Sequence, residues 1–277
     1  MAVFSRNLIN AAFAIGFCVL PTFAAADAPL ARLFDALKLG EYVEIVRVEG
    51  LNDIDEVSQD MLGRPASGNF VQQMTAVYDL ERMKEQVRSE LAQLDSVQIE
   101  QALLFFESDM GARIADVELS ARRAISDPDI EDAAREAWGV AQSDDDSADL
   151  REQIEALQVT SDLVNSNVSG ALNSNLRFYQ GMAEGGGLEL GEDQILQLVW
   201  AQEPEIREDT QDWLGAYMLM AYAPLDLEDL KTYNAMLQTK TGQALNAAIF
   251  TGFNGMFDEI SYATGQIIAF NMASQDL

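Results

Sequence analysis

Phe105-Phe106-Glu107-Ser108-Asp109-Met110-Gly111 decides how this chain folds. Upstream of it, Asp95 stands as a helix N-cap with Gln98 at capping-box spacing, and Ile99, Ala102, Leu103 and Phe106 recur at i, i+3, i+4 and i+7. That pattern makes one helical face apolar and brings it to a stop at the phrase. Gly111 permits a turn, and a second helix is expected from Ala112 to Ile125, with Glu118 and Arg122 as a favourable i, i+4 pair. The phrase is therefore the corner of a helical hairpin.

A fainter copy follows at Met236-Leu237-Gln238-Thr239-Lys240-Thr241-Gly242. The offset, 242 minus 111, is 131, and it also pairs Asp95 with Asp226, Ile99 with Leu230, Phe106 with Leu237, Ile114 with Leu245 and Leu119 with Phe250. Each copy has an acidic cap, an apolar face, a hydroxyl residue three before a glycine, and a following helix. A hydroxyl there can bond backbone groups at a helix end. Ser108 and Thr239 have no base to activate them, so the motif residues Phe105, Phe106, Ser108, Gly111, Thr239 and Gly242 read as structural.

The remaining sequence is helical in the same way. Leu80, Met83, Val87, Leu91 and Leu94 follow the cap Asp79, Asp127-Pro128 opens a helix in which Glu131 and Arg135 pair, and strictly alternating runs are missing. A helix from Leu150 to Ala183, bent near Ser161, ends at Gly185-Gly186-Gly187. Others hold Ile195, Leu196, Val199 and Trp200, then Trp213, Leu214, Tyr217 and Met218. The last runs from near Gly242 toward Gln275, loosened at Gly252 and Gly255. The expected fold is all-α, two related halves that each contain a helical hairpin, packed as a bundle-like globule. Residues 27–141 form the first half, 150–277 the second, and 142–149, with Asp144, Asp145 and Asp146 in a row, a solvated acidic linker.

Residues 1–26 read as a signal peptide: Arg6, an apolar run from Leu8 to Leu20, Pro21, and small residues Ala24, Ala25 and Ala26 before a cleavage site at Asp27. The run is shorter than the about 20 residues a membrane span needs. The expected location is the periplasm, and no later segment is apolar enough to cross a bilayer. The single cysteine, Cys18, leaves with the signal, so no disulfide can staple the mature chain. The net charge of −29 repels phosphate backbones and excludes nucleic acid as a partner.

With no histidine and no mature cysteine, a Ser-His-Asp triad, an imidazole or thiolate metal site and a thiol nucleophile are all excluded. No catalytic residue, metal site or cofactor is expected. Glu203, Glu205, Asp209 and Asp212 beside Trp200 and Trp213 are the first place to look for the paired carboxylates of a sugar or cell-wall hydrolase. The acidic runs Asn52 to Glu56 and Ser143 to Asp149 lack the EF-hand glycine and glutamate, and the triple glycine lacks a phosphate-loop spacing. Arg113, Arg122 and Arg123 are the least diluted basic cluster and the candidate partner-docking patch.

On Phe105, Phe106, Ser108, Gly111 and Arg113 the chain resembles the secreted bacterial family known as domain of unknown function 2059. Its hallmark is an aromatic pair, a serine, usually a proline, a spacer, a glycine and a basic residue. Asp109 stands where the proline is usual, and the second copy keeps only Thr239 and Gly242. The resemblance implies an all-helical envelope protein with no assigned activity. The leading expectation is a non-catalytic binding protein or scaffold that meets an envelope protein or a small ligand in a groove between its hairpins. The alternative is the carboxylate-dependent hydrolase, and a third reading places an apolar ligand in a cavity between helices.

Overall fold

A computed structural model describes residues 23–273, and among these every regular element is helical. The expected signal peptide lies for the most part outside the described residues. In chain order the helices are α1 (Phe23–Ala36), α2 (Leu39–Asn52), α3 (Ile54–Leu62), α4 (Gly68–Val77), α5 (Leu80–Leu91), α6 (Ser96–Phe106) and α7 (Asp109–Ala124). There follow α8 (Pro128–Ala141), α9 (Ala148–Thr160), α10 (Leu163–Glu184), α11 (Glu192–Trp200), α12 (Glu203–Tyr222), α13 (Leu227–Leu237) and α14 (Lys240–Ala273).

Side-chain caps set many of the starts. Ser67, Asp79, Ser108 and Asp127 each accept a backbone N–H of the first turn. At α6 the capping box is complete: Asp95 accepts from Gln98 N at 2.8 Å and its own N–H donates to Gln98 Oε1 at 2.9 Å. Each such cap stabilises its helix by about 1 kcal/mol. The segment 142–149 has no buried residue and is held by its own hydrogen bonds. Asp144 accepts from the Asp146 N–H and the Ser147 hydroxyl around a short 3₁₀ turn, and Arg151 donates to the Ala141 carbonyl at 2.7 Å.

At 34 residues α14 is the longest element, about 50 Å at 1.5 Å per residue, and it packs against α10, α5, α4, α13 and α6. The expected loosening at Gly252 and Gly255 does not occur, because these glycines provide space. A Cβ on Gly252 would come within 2.9 Å of Val87 Cα on α5, and one on Gly255 within 2.6 Å of the Gln86 side-chain nitrogen. At the C-terminal end, Cβ atoms on Gly181 of α10 and Gly265 of α14 would overlap the carbonyl oxygens of Tyr262 and Phe178 respectively. The two helices touch backbone to backbone there.

One core runs through both stretches of chain. Leu33 and Phe34, Val87 and Leu91, Leu103 and Ile114 from the first pack with Ile154, Leu157, Met218, Leu230, Leu245 and Met256 from the second. Smaller clusters sit where Phe70 and Met74 meet Met182 and Ile268, and where Val168 and Leu172 meet Ile195 and Val199. Leu196 and Trp200, on the same helix as Ile195 and Val199, instead stand 50% and 69% exposed. Exposed Gly139, inside α8, has open space around its Cβ position. Gly139→Ala is therefore expected to raise stability by about 0.5 to 1 kcal/mol through backbone entropy, read as a higher urea midpoint at unchanged slope.

Candidate functional site

The two corner phrases adopt the same hydrogen bonding. Ser108 Oγ accepts from Gly111 N at 3.1 Å and donates to the Phe105 carbonyl at 2.6 Å. Thr239 Oγ1 accepts from Gly242 N at 3.0 Å and donates to the Met236 carbonyl at 2.7 Å. Gly111 is not a turn residue, since it lies in the first turn of α7, which starts at Asp109. What requires glycine is close approach: a Cβ there would overlap the Phe105 carbonyl oxygen, and one on Gly242 the Met236 carbonyl oxygen.

These corners carry the walls of a cavity. Phe106 ends α6, Leu237 ends α13 with Tyr233 one turn earlier, and all three line a space of about 250 Å³ completed by α2, α7, α9, α10, α12 and α14. Phe105 stacks on Tyr233 at a centroid distance of 5.8 Å, and Phe106 and Tyr222 meet the same ring edge-on. At the cavity's edge the chain breaks between α9 and α10, where Asp162 takes a left-handed conformation at φ 49°. Asn246 of α14 pins that break by donating to the Ser161 carbonyl at 2.9 Å.

Glu118 is the side chain that sequence reasoning misplaced. The expected pair with Arg122 does not form. Arg122 reaches across to Glu49 of α2, donating through both terminal nitrogens at 2.8 and 2.6 Å. The physical reason is the face each residue occupies. Gly111, Ile114, Ala115, Leu119 and Ala121 are the buried residues of α7, and at i+4 from Ile114 and i+3 from Ala115, Glu118 falls on the same face. Its carboxylate lines the cavity and accepts the Tyr222 hydroxyl at 2.5 Å. An acid interrupting an apolar helical stripe was the signal that could have found it.

Tyrosines surround this carboxyl. The Tyr217 hydroxyl donates to the Glu118 backbone carbonyl at 3.2 Å and lies 3.3 Å from the Tyr42 hydroxyl. Burial pushes the Glu118 carboxyl up to about 7, although hydrogen bonds from Tyr222 and Tyr233 pull the other way. Burial, and then the Glu118 charge, raise Tyr42, Tyr222 and Tyr233 above the ordinary phenol range. For Tyr217 burial leads, followed by the neighbouring Tyr42 and Glu118. The tyrosines thus stay neutral hydrogen-bonding groups wherever Glu118 titrates. Among the described residues lining the cavity, Glu118 alone carries a charge.

The candidate docking patch is not gathered into one surface. Arg113 and Arg122, nine positions apart, lie on opposite sides of α7, and Arg113 donates to the Pro224 carbonyl at 2.7 Å. Arg123 is exposed and borders a shallow surface depression with Glu41, Glu44 and Glu49. Of the candidate hydrolytic acids, Glu203 is paired with Arg207 at 2.6 Å and Asp209 with Arg135 at 2.9 Å, while Glu205 and Asp212 are exposed. The central cavity presents one carboxylate to any bound molecule, not a facing pair. No three acids among the described residues converge as a metal-binding group, and none of their helices is long and apolar enough to cross a membrane.

The fold and site define an all-helical protein with a partly open, largely apolar cavity in which four tyrosines meet one carboxylate. No family model, no curated protein and no solved structure matches the chain. The resemblance at Phe105, Phe106, Ser108, Gly111 and Arg113 stands on those residues alone.

Proposed function

We propose that the protein is an exported, non-catalytic binding protein of the bacterial envelope, and that it carries a small, largely apolar ligand in the cavity between its two hairpin corners. One observation carries this reading: a cavity of about 250 Å³, walled by aliphatic and aromatic side chains, with a single carboxyl and its tyrosine partners at one place. Binding pockets have this composition, mostly apolar with a few convergent polar groups that fix orientation. The signal-peptide pattern of residues 1–26 and the resemblance to domain of unknown function 2059 support the envelope location.

Ala115, buried on α7 and lining the cavity, gives the test. Native mass spectrometry of protein taken from its own envelope fraction is expected to show a bound small molecule, and the neutral two-ring fluorophore 1-aminonaphthalene to brighten on addition. Ala115→Phe, which fills the space, is expected to lower dye affinity by about tenfold or more, the worth of about 1.4 kcal/mol. A bare monomer in every growth condition, with dye response equal in both proteins, would overturn the reading.

A further inference from the structure

We infer that the ligand is a small lipophilic ammonium ion, its apolar body in the cavity and its charge held between the Glu118 carboxylate and the surrounding aromatic rings. This rests on the cavity being the binding site and adds the chemical class of its occupant. The first argument is an uncompensated charge. Every base near Glu118 is committed elsewhere: Arg122 to Glu49 and Ser126, Lys38 to Asp116 at 3.2 Å, and Arg113 to the Pro224 carbonyl. The groups that face Glu118 from α2, α12 and α13 are Tyr42, Tyr217, Tyr222 and Tyr233, all neutral. A carboxylate offers about four acceptor positions, more than the Tyr222 and Tyr233 hydroxyls fill.

The second argument is the wall. Rings of Tyr42, Phe106, Tyr217, Tyr222, Tyr233 and Phe253 line the same space, and a desolvated aromatic face attracts a cation by about 2 kcal/mol. An anion would find no basic partner there and would face Glu118. A sugar would turn hydroxyls on every side of its ring toward a wall that is chiefly aliphatic and aromatic, and those facing it would be left unpaired. The chain's charge of −29 adds a field that draws cations toward it. Size narrows the class further. An apolar cavity of about 150 Å³ holds benzene, so one of about 250 Å³ holds on the order of ten non-hydrogen atoms by proportion, the scale of an arylalkylamine.

The experiment is isothermal titration of the full chain with three probes of similar size: 2-phenylethylamine, uncharged propylbenzene and the anion 3-phenylpropanoate. Near pH 8, 2-phenylethylamine is expected to bind about tenfold or more tighter than propylbenzene, and 3-phenylpropanoate most weakly. Toward pH 5.5, protonation of Glu118 is expected to shrink the amine's advantage. In Glu118→Gln, confirmed folded by its melting curve, the affinity ratio is expected to approach one. Propylbenzene or 3-phenylpropanoate binding as well as the amine would overturn the ammonium assignment and leave the cavity reading standing. Absence of binding by all three, with no 1-aminonaphthalene response, would overturn both.

Discussion

Glu118→Gln is expected to stabilise the protein by about 3 kcal/mol near pH 8.5 and by almost nothing near pH 4. In the unfolded chain this carboxyl titrates at its ordinary 4.5, and in the folded protein burial moves it to about 7. Between those two values the folded state holds a proton that the unfolded state has released, so stability falls as pH rises through the interval. The fall is about 1.4 kcal/mol for each unit of separation. The loss is complete above the folded value, where an ionised carboxylate sits among neutral tyrosines. Glutamine keeps an oxygen to accept the Tyr222 hydroxyl and has no charge at any pH.

Urea unfolding of both proteins across this range isolates the effect, because contributions common to both cancel in the difference. Glu49 is one: burial raises its carboxyl, but hydrogen bonds from Arg122 and Ser126 outweigh that and hold it below the usual range. Its contribution is present above the unfolded value and is lost on acidification. The general repulsion of a chain at −29 cancels likewise. A difference between the two proteins that does not change with pH would mean that Glu118 titrates normally. The prediction also carries a functional meaning. An acid that destabilises the empty protein at neutral pH is the stability cost expected of a preformed site, and a bound cation would offset it.

The helices and their starts could be read from the chain because their causes are local. Asp79, Asp95 and Asp127 act on backbone groups within three residues, and Ser108 and Thr239 bond the same two positions in both corners. The site could not be read in this way. Glu118 has both an arginine at i+4 and a place on the core-facing stripe of its helix, and which wins depends on Glu49 and Tyr222, 69 and 104 residues away. The glycines of α14 failed for a related reason. Sequence shows that glycine weakens a helix, whereas only the packing of Val87, Gln86 and Phe178 shows that a side chain would not fit.

Gly265→Ala is expected to destabilise the protein by about 3 kcal/mol, at the upper end of overpacking costs, although alanine is the better helix former by up to about 1 kcal/mol. The new methyl group would meet the Phe178 carbonyl oxygen, with Met182 N at 2.9 Å. Both are backbone atoms of a 22-residue helix, so no rotamer change relieves the overlap and α10 must move away from α14. That separation also strips contacts from Met182, Ile268 and Ala269, which are buried beside the seam. Gly181→Ala acts on the same pair of helices through the Tyr262 carbonyl oxygen and is expected to cost a similar amount. The double variant should cost less than the sum, because the displacement that admits the first methyl group partly admits the second, and neighbouring sites that share a backbone shift couple by about 0.5 to 3 kcal/mol. Urea midpoints of the two single variants and the double variant, with unchanged slopes, measure this coupling directly. Additive costs would show that the helices yield locally at each glycine, and a Gly265→Ala protein as stable as its parent would show that α10 and α14 do not touch at this seam.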